Sequence, residues 1–219
     1  MSGRTILELV EQGGAVMYPL LLCSVLAVSV IIERLWALGR LQKQSGALAS
    51  HVLAALHEGK LAEASALCRT SPVALAKVLR AALSAQGKST EQVERITLRK
   101  LGEMNRELRR RIWLLGTIGS LAPFIGLLGT VVGIIRAFEN MAASGSGGFA
   151  VVSAGISEAL IATAAGLLVG VLAIFSYNAF NVRINSLAAS MRDTADEVLT
   201  QLGEAPAHEG SVPRVVQSR

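Results

Sequence analysis

The chain has 219 residues, of which 52% are hydrophobic and 17% charged, with a net charge of +5 and a mean hydropathy of +0.50. A soluble domain carries about 25% charged residues, and here the apolar residues stand in uncharged blocks: 21 residues from Gln12 to Ile32, 24 from Ile112 to Ile135 and 24 from Ala159 to Val182. About 20 apolar residues cross a bilayer core as a helix, so the composition excludes a soluble enzyme with one core, excludes disorder, and predicts an all-α integral membrane protein with three transmembrane helices.

In chain order, residues 1–14 read as a short periplasmic or interfacial segment ending at Gly13-Gly14. It does not read as a signal peptide, because Glu8 and Glu11 spoil a basic n-region and no small-residue cleavage site follows. The first span is placed at 15–33, with its helix continuing towards Leu41. Residues 34–111 form a cytoplasmic helical loop. Between Glu33 and Arg111 there are 15 Lys/Arg against 7 Asp/Glu, a surplus of eight. Arg34, Arg40 and Lys43 follow the first span, and Arg109, Arg110 and Arg111 precede the second. By the positive-inside rule these flanking charges put the loop in the cytoplasm, the N-terminus outside and the C-terminus inside.

Within the loop, breaks at Gly59-Lys60 and Ser71-Pro72 divide 47–86 into two or three short amphipathic helices, with Pro72 at a first helical position and Gly87 as a stop. Ser89 with Gln92 is a capping-box pair. The helix it opens meets no proline before Pro123, so it is expected to run unbroken into the second span, 112–136. The 50 residues from Thr90 to Glu139 would measure about 75 Å as a helix, and much of that length projects into the cytoplasm. An exterior turn over 137–148 leads to the third span, 149–182, extended by a cytoplasmic helix over 183–202 and a tail over 203–219 expected to be disordered. The Ser144–Gly148 stretch lacks the Lys-Ser/Thr of a phosphate loop and reads as a plain turn.

The basic surplus does not mark a nucleic-acid binder, because aromatic residues make up 4% of the chain and none is interleaved with the cations. Cys23, Cys68, His51, His57 and His208 have no metal-ligand spacing. The sequence predicts no cofactor, no metal and no catalytic residue, hence no enzyme.

Glu158 is the informative residue. A carboxylate among apolar residues of a span is costly and marks a functional site by default. If the span begins near Phe149, Glu158 lies about 14 Å along it; a later start leaves it at the interface. With Glu158 set at 0° and about 100° per residue, Ala162, Gly155, Gly166, Ala159, Gly170 and Thr163 fall in order up to about 140°. This small-residue sector suits protein or water rather than lipid. The second span offers a matching surface in Gly116, Gly119, Gly126, Gly129 and Gly133, with Pro123 mid-span and Thr117 and Thr130 as polar groups. Thr130 either lines a path or bonds back to its own helix. The expected packing residues are Gly126, Gly129, Gly133, Gly155, Gly166, Gly170 and Pro123. A desolvated carboxylate exchanges protons nearer neutral pH, which suits one wall of an ion path completed by further copies and a partner.

The blocks Gly13–Leu21 with Ile31–Arg34, Ala122-Pro123-Phe124-Ile125-Gly126-Leu127-Leu128-Gly129-Thr130-Val131-Val132-Gly133-Ile134, and Gly155-Ile156-Ser157-Glu158-Ala159-Leu160-Ile161-Ala162-Thr163-Ala164-Ala165-Gly166-Leu167 resemble the ExbB/TolQ/MotA proton-channel family, closest to the ExbB/TolQ branch. The likeness covers about residues 8–200. It implies a ring-like homopentamer around a dimer of single-span ExbD/TolR-like subunits in the bacterial inner membrane. It further implies a TonB- or TolA-like protein as an additional partner, and use of the proton motive force for work at the periplasm and outer membrane. Protons are then the coupling ion. The resemblance assigns Glu158, Thr130 and Thr163 to the proton pathway or pore lining. The chain lacks the four-span layout of flagellar stators. Two other readings remain: a non-conducting membrane scaffold of the same fold, and a small secondary transporter, against which the scarce polar lining and absent repeats count.

Overall fold

A computed structural model describes residues 13–84, 89–143 and 149–204. The helices are α1 (Met17–His57), α2 (Leu61–Thr70), α3 (Ala74–Leu83), α4 (Thr90–Arg109), α5 (Trp113–Ala143) and α6 (Phe149–Glu204). Among the described residues, three stretches, Met17–His57, Glu91–Ala143 (two helices joined by the turn at 110–112) and Val152–Leu202, are long and apolar enough to cross a membrane. At 56 residues, α6 is about 84 Å long, far more than a bilayer core of about 30 Å needs.

The chain divides into two compact units. The first holds residues up to Arg40 and Asn105–Ser186, and thus the apolar parts of α1, α5 and α6. Its interior is built from small or medium apolar residues such as Leu20, Ala27, Leu115, Ala122, Ala162 and Ala173, each 5% exposed or less. Many of its apolar residues also stand outward: Phe124 is 67% exposed, Phe175 70% and Val182 70%. That inversion of the soluble pattern fits a surface covered by lipid or further protein. Trp36 and Trp113 are exposed beside the arginine-rich end of the spans, as amphipathic rings are at a membrane boundary.

The second unit holds Leu41–Met104 and the residues from Leu187 onward. Its core is conventional, with Val52, Ala64, Leu75, Val78, Leu79, Met191 and Val198 all under 2% exposed. Gly59, at φ +71°, turns the chain between α1 and α2, and Ser71-Pro72 separates α2 from α3. Proline lacks an N–H and disfavours helix at the residue before it, so both breaks follow from local chemistry.

Four expectations need correction. The first helix does not end near Leu41 but runs to His57, since no proline follows Pro19 within it and the single glycines Gly39 and Gly46 weaken a helix without ending it. Pro72 precedes the helix-capping residue Val73 rather than occupying a first helical position. The second span is not continuous with the helix before it: α4 ends at Arg109, and residues 110–112 form a tight turn in which Arg110 N–H donates to Glu107 O (3.3 Å) and Ile112 N–H to Arg109 O (3.1 Å). Arg109 and Arg111, either side of its first residue, reach α6 and α1 respectively, and Ile112 is 1% exposed. Finally, the turn expected at 137–148 is helical through Ala143. Gly87, residues 1–12, 144–148 and the tail from 205 lie outside the described residues.

Candidate functional site

Helices α5 and α6 pack antiparallel through their glycines. A Cβ placed on Gly133 would stand 2.6 Å from Ala159 Cβ, and one on Gly155 would stand 2.6 Å from Ala137 Cβ. One on Gly166 would meet Ala122 O at 2.6 Å and Gly126 Cα at 2.9 Å. Gly129 lies on Ala162, Gly119 on Ile174 and Gly116 on Tyr177. Small residues let the two backbones approach, and dispersion at that range holds helices together where lipid gives no hydrophobic gain. The small-residue sector of α6 therefore faces protein.

Pro123 sits inside α5 without ending it. Its missing N–H frees the Gly119 carbonyl four residues back. Gly170 lies over that spot, where a Cβ would stand 2.7 Å from Pro123 Cγ and 3.2 Å from Gly119 O. Seen this way, Gly170 leaves room for the ring and for the freed carbonyl together.

The register fixes the level of each polar residue. Because Gly133 meets Ala159 and Ala137 meets Gly155, Glu158 is level with Ile134, about 3 Å short of Arg136 along the axis. It stands at the end of the uncharged run of α5, not deep within it, because the register set by Gly133 and Gly155 places it opposite Ile134, one residue from the end of that run. Thr163 and Thr130 share a level, about five residues further in.

Their sides of the seam differ. Thr163 Oγ1 donates to Gly126 O on α5 at 2.7 Å. Thr130 Oγ1 donates to Leu127 O of its own helix, also at 2.7 Å, the back-bonded arrangement. By helical angle Thr130 shares the edge of α5 that holds Pro123, and Thr163 shares the edge of α6 that holds Gly170; Pro123 and Gly170 touch. The two threonines thus flank the seam on one side. Glu158 is on the other, where α1 begins: Val16 lies against Gly129, and the Glu158 carboxylate lies against Gly14. Glu158, Thr130 and Thr163 are all half-buried. Within one chain the two threonines thus share one flank of the seam and the carboxylate lies on the other.

A second polar cluster, not anticipated from the sequence, marks the arginine-rich end. Arg109 donates through Nε to Asn105 Oδ1 (3.1 Å), through Nη1 to Asn181 Oδ1 (2.7 Å) and through Nη2 to Asn185 Oδ1. Asn181 Nδ2 in turn donates to Tyr177 O at 3.0 Å, which fixes its amide. Arg111 pairs with Glu33 of α1 at 2.6 Å, and Arg34, 8% exposed, donates to Leu108 O at 3.1 Å. The available signal was the pair Asn181 and Asn185, one turn apart on a mostly apolar helix.

Tight glycine-mediated helix packing, three spanning helices and a half-buried carboxylate on the seam define a multi-pass helical membrane protein with an ionisable site among its spans. The chain belongs to the MotA/TolQ/ExbB proton channel family, whose pattern matches residues 70–193, more than half of the chain. It is 37% identical over 169 residues to an ExbB-like biopolymer transport protein of Synechocystis sp., covering 76% of this chain and 66% of that protein. It is 42% identical over 101 residues to the biopolymer transport protein ExbB of Salmonella typhimurium, covering 46% of this chain and 41% of that protein. Similarity to the Tol-Pal system protein TolQ of Haemophilus influenzae is 40% identity over 111 residues, 47% of this chain and 49% of that one. The chain thus spans about half the length of several curated relatives it matches.

Proposed function

We propose that this chain is a proton-channel subunit of an inner-membrane motor that, with an ExbD/TolR-like partner, uses the proton motive force for TonB- or Tol-type work at the periplasm and outer membrane. The observation that carries this reading is Glu158, a titratable group on a helix pair otherwise uncharged over most of its shared length. Intramembrane carboxylates of this kind serve proton relays, and family membership supports the same conclusion.

In this reading the N-terminus is periplasmic and the basic residues 34–111 cytoplasmic. A proton arrives from the periplasm at Glu158, near the outer end of the seam. Thr130 and Thr163 form the next polar level inward, on the other flank. A path joining both flanks requires neighbouring copies of the chain, which fits a homopentamer enclosing a dimer of single-span partners. The large apolar residues exposed on the spans supply the surface such assembly and the lipid would cover.

The test is Glu158→Gln in the assembled complex, reading proton flux into liposomes and complex formation separately. Lost flux with intact assembly supports the motor. Unchanged flux would take Glu158 out of the path and sink this reading, whereas a parent complex that assembles but carries no flux would favour the non-conducting scaffold, in which Glu158 only pairs with a partner charge.

A further inference from the structure

We infer that Gly14 is a positioning residue for Glu158: the Gly13–Gly14 turn ahead of α1 is the seat that fixes where the carboxylate stands. Two independent features of Gly14 converge on this. Its φ is +69°, a left-handed conformation that only glycine adopts at no steric cost. A Cβ built on it would fall onto Glu158 Oε1, with Glu158 Cδ at 3.6 Å. The backbone of the turn is therefore in contact with the side chain, and no other residue type leaves that space open.

The seat is itself held in place. Gly13 is buried, the Gly14 carbonyl accepts from Met17 N–H at 3.0 Å, and Met17 and Leu20 are 8% and 2% exposed. Val16 packs over Gly129, its Cγ1 3.3 Å from where a Cβ would stand. Residues 13–20 thus lock the start of α1 onto α5 and α6, and the carboxylate of α6 rests against that lock. Movement of α1 relative to α6 must move the surroundings of Glu158.

Gly59 supplies the control. It has nearly the same conformation, φ +71°, with nothing within 4 Å of a built Cβ. Substitution there carries the strain of a left-handed residue without the collision.

The functional meaning of the seat rests on the proton-path reading of Glu158; the contact does not. The probe is dicyclohexylcarbodiimide, which modifies carboxyl groups, applied to the purified full chain, with the labelling rate at Glu158 read by peptide mass spectrometry. Gly14→Ala is expected to change that rate by about fivefold or more, the scale of coupling between touching residues, and Gly59→Ala to leave it unchanged. An unchanged rate in folded Gly14→Ala protein overturns the proposal. Should Gly14→Ala fold poorly, it is combined with Glu158→Asp, one methylene shorter. Recovery of yield and melting temperature in the double variant supports the seat. A double variant no better than Gly14→Ala alone assigns the defect to backbone strain and overturns it. Failure of the proton-path reading is distinguishable, since it appears as full flux in Glu158→Gln whatever the labelling shows.

Discussion

The Thr163 hydroxyl reaches across from α6 to the Gly126 carbonyl of α5 at 2.7 Å, whereas the Thr130 hydroxyl at the same level turns back to Leu127 of its own helix. One hydroxyl ties two spans together; the other does not.

Thr163→Val should therefore loosen the seam, lowering stability by about 0.6 kcal/mol, the average for hydrogen bonds between membrane helices, and by no more than about 1.7 kcal/mol. Thr163→Ser should retain most of it. Thr130→Val should melt like the parent chain, so a loss of proton coupling in that variant reports on the path and not on folding. Thermal melts of all three alongside flux decide it, and full activity in both valine variants removes the two threonines from the path.

Glycines of the same helical conformation should respond oppositely to alanine. At Gly166 the new methyl would meet the backbone of α5 at 2.6 Å, and overpacking of that kind costs about 1–3 kcal/mol. At Gly102, in α4, nothing lies within 4 Å, and removing a helical glycine should stabilise by about 0.5–1 kcal/mol. Melting in one detergent ranks the two variants, and a Gly166→Ala protein as stable as the parent would show that the seam can part.

Arg109→Lys should not be conservative. The guanidinium reaches Asn105, Asn181 and Asn185 together, and an ammonium on a flexible stem cannot reproduce that fork. A loss of about 1–2 kcal/mol is expected for the missing bonds to a charged donor, read as faster proteolysis near residues 105–112.

Cys68 is 2% exposed, and burial pushes its thiol above the ordinary value of 9.0, partly offset by the nearby Arg80. A raised thiol pKa favours the neutral form in the folded protein. Its contribution is fully present below the unfolded pKa and is lost as pH rises through the folded one. Thiol reagents at pH 8 should accordingly modify Cys68 only after unfolding, and rapid modification of the native chain would show that the second unit opens locally.

Native mass spectrometry of the chain co-expressed with its chromosomal neighbours should give five copies with two of a small single-span protein. A monomer or dimer without that partner would undercut the shared path.

The spans, the breaks at Gly59-Lys60 and Ser71-Pro72, and the ionisable residue in an apolar helix were legible because each rests on local chemistry: desolvation of charge, missing N–H groups, left-handed backbone. The turn at 110–112 was not, since no glycine or proline marks it. There the contacts of Arg109 with α6 and of Arg111 with α1 accompany a break that the local sequence does not signal. The level of Glu158 escaped for a similar reason. Helical angle gives a residue's side but not its partner, and the register that sets it against Ile134 comes from Gly133 meeting Ala159 and Gly155 meeting Ala137.

By itself the sequence determined that this chain has three stretches long and apolar enough to cross a membrane and carries a carboxylate among small residues, because hydropathy and helical period are properties of a single helix. Only the tertiary structure decided that Thr163 clasps Gly126, that Thr130 does not reach across, and that Glu158 rests on Gly14. Those outcomes depend on which volumes meet between residues more than thirty positions apart, and no local pattern records that.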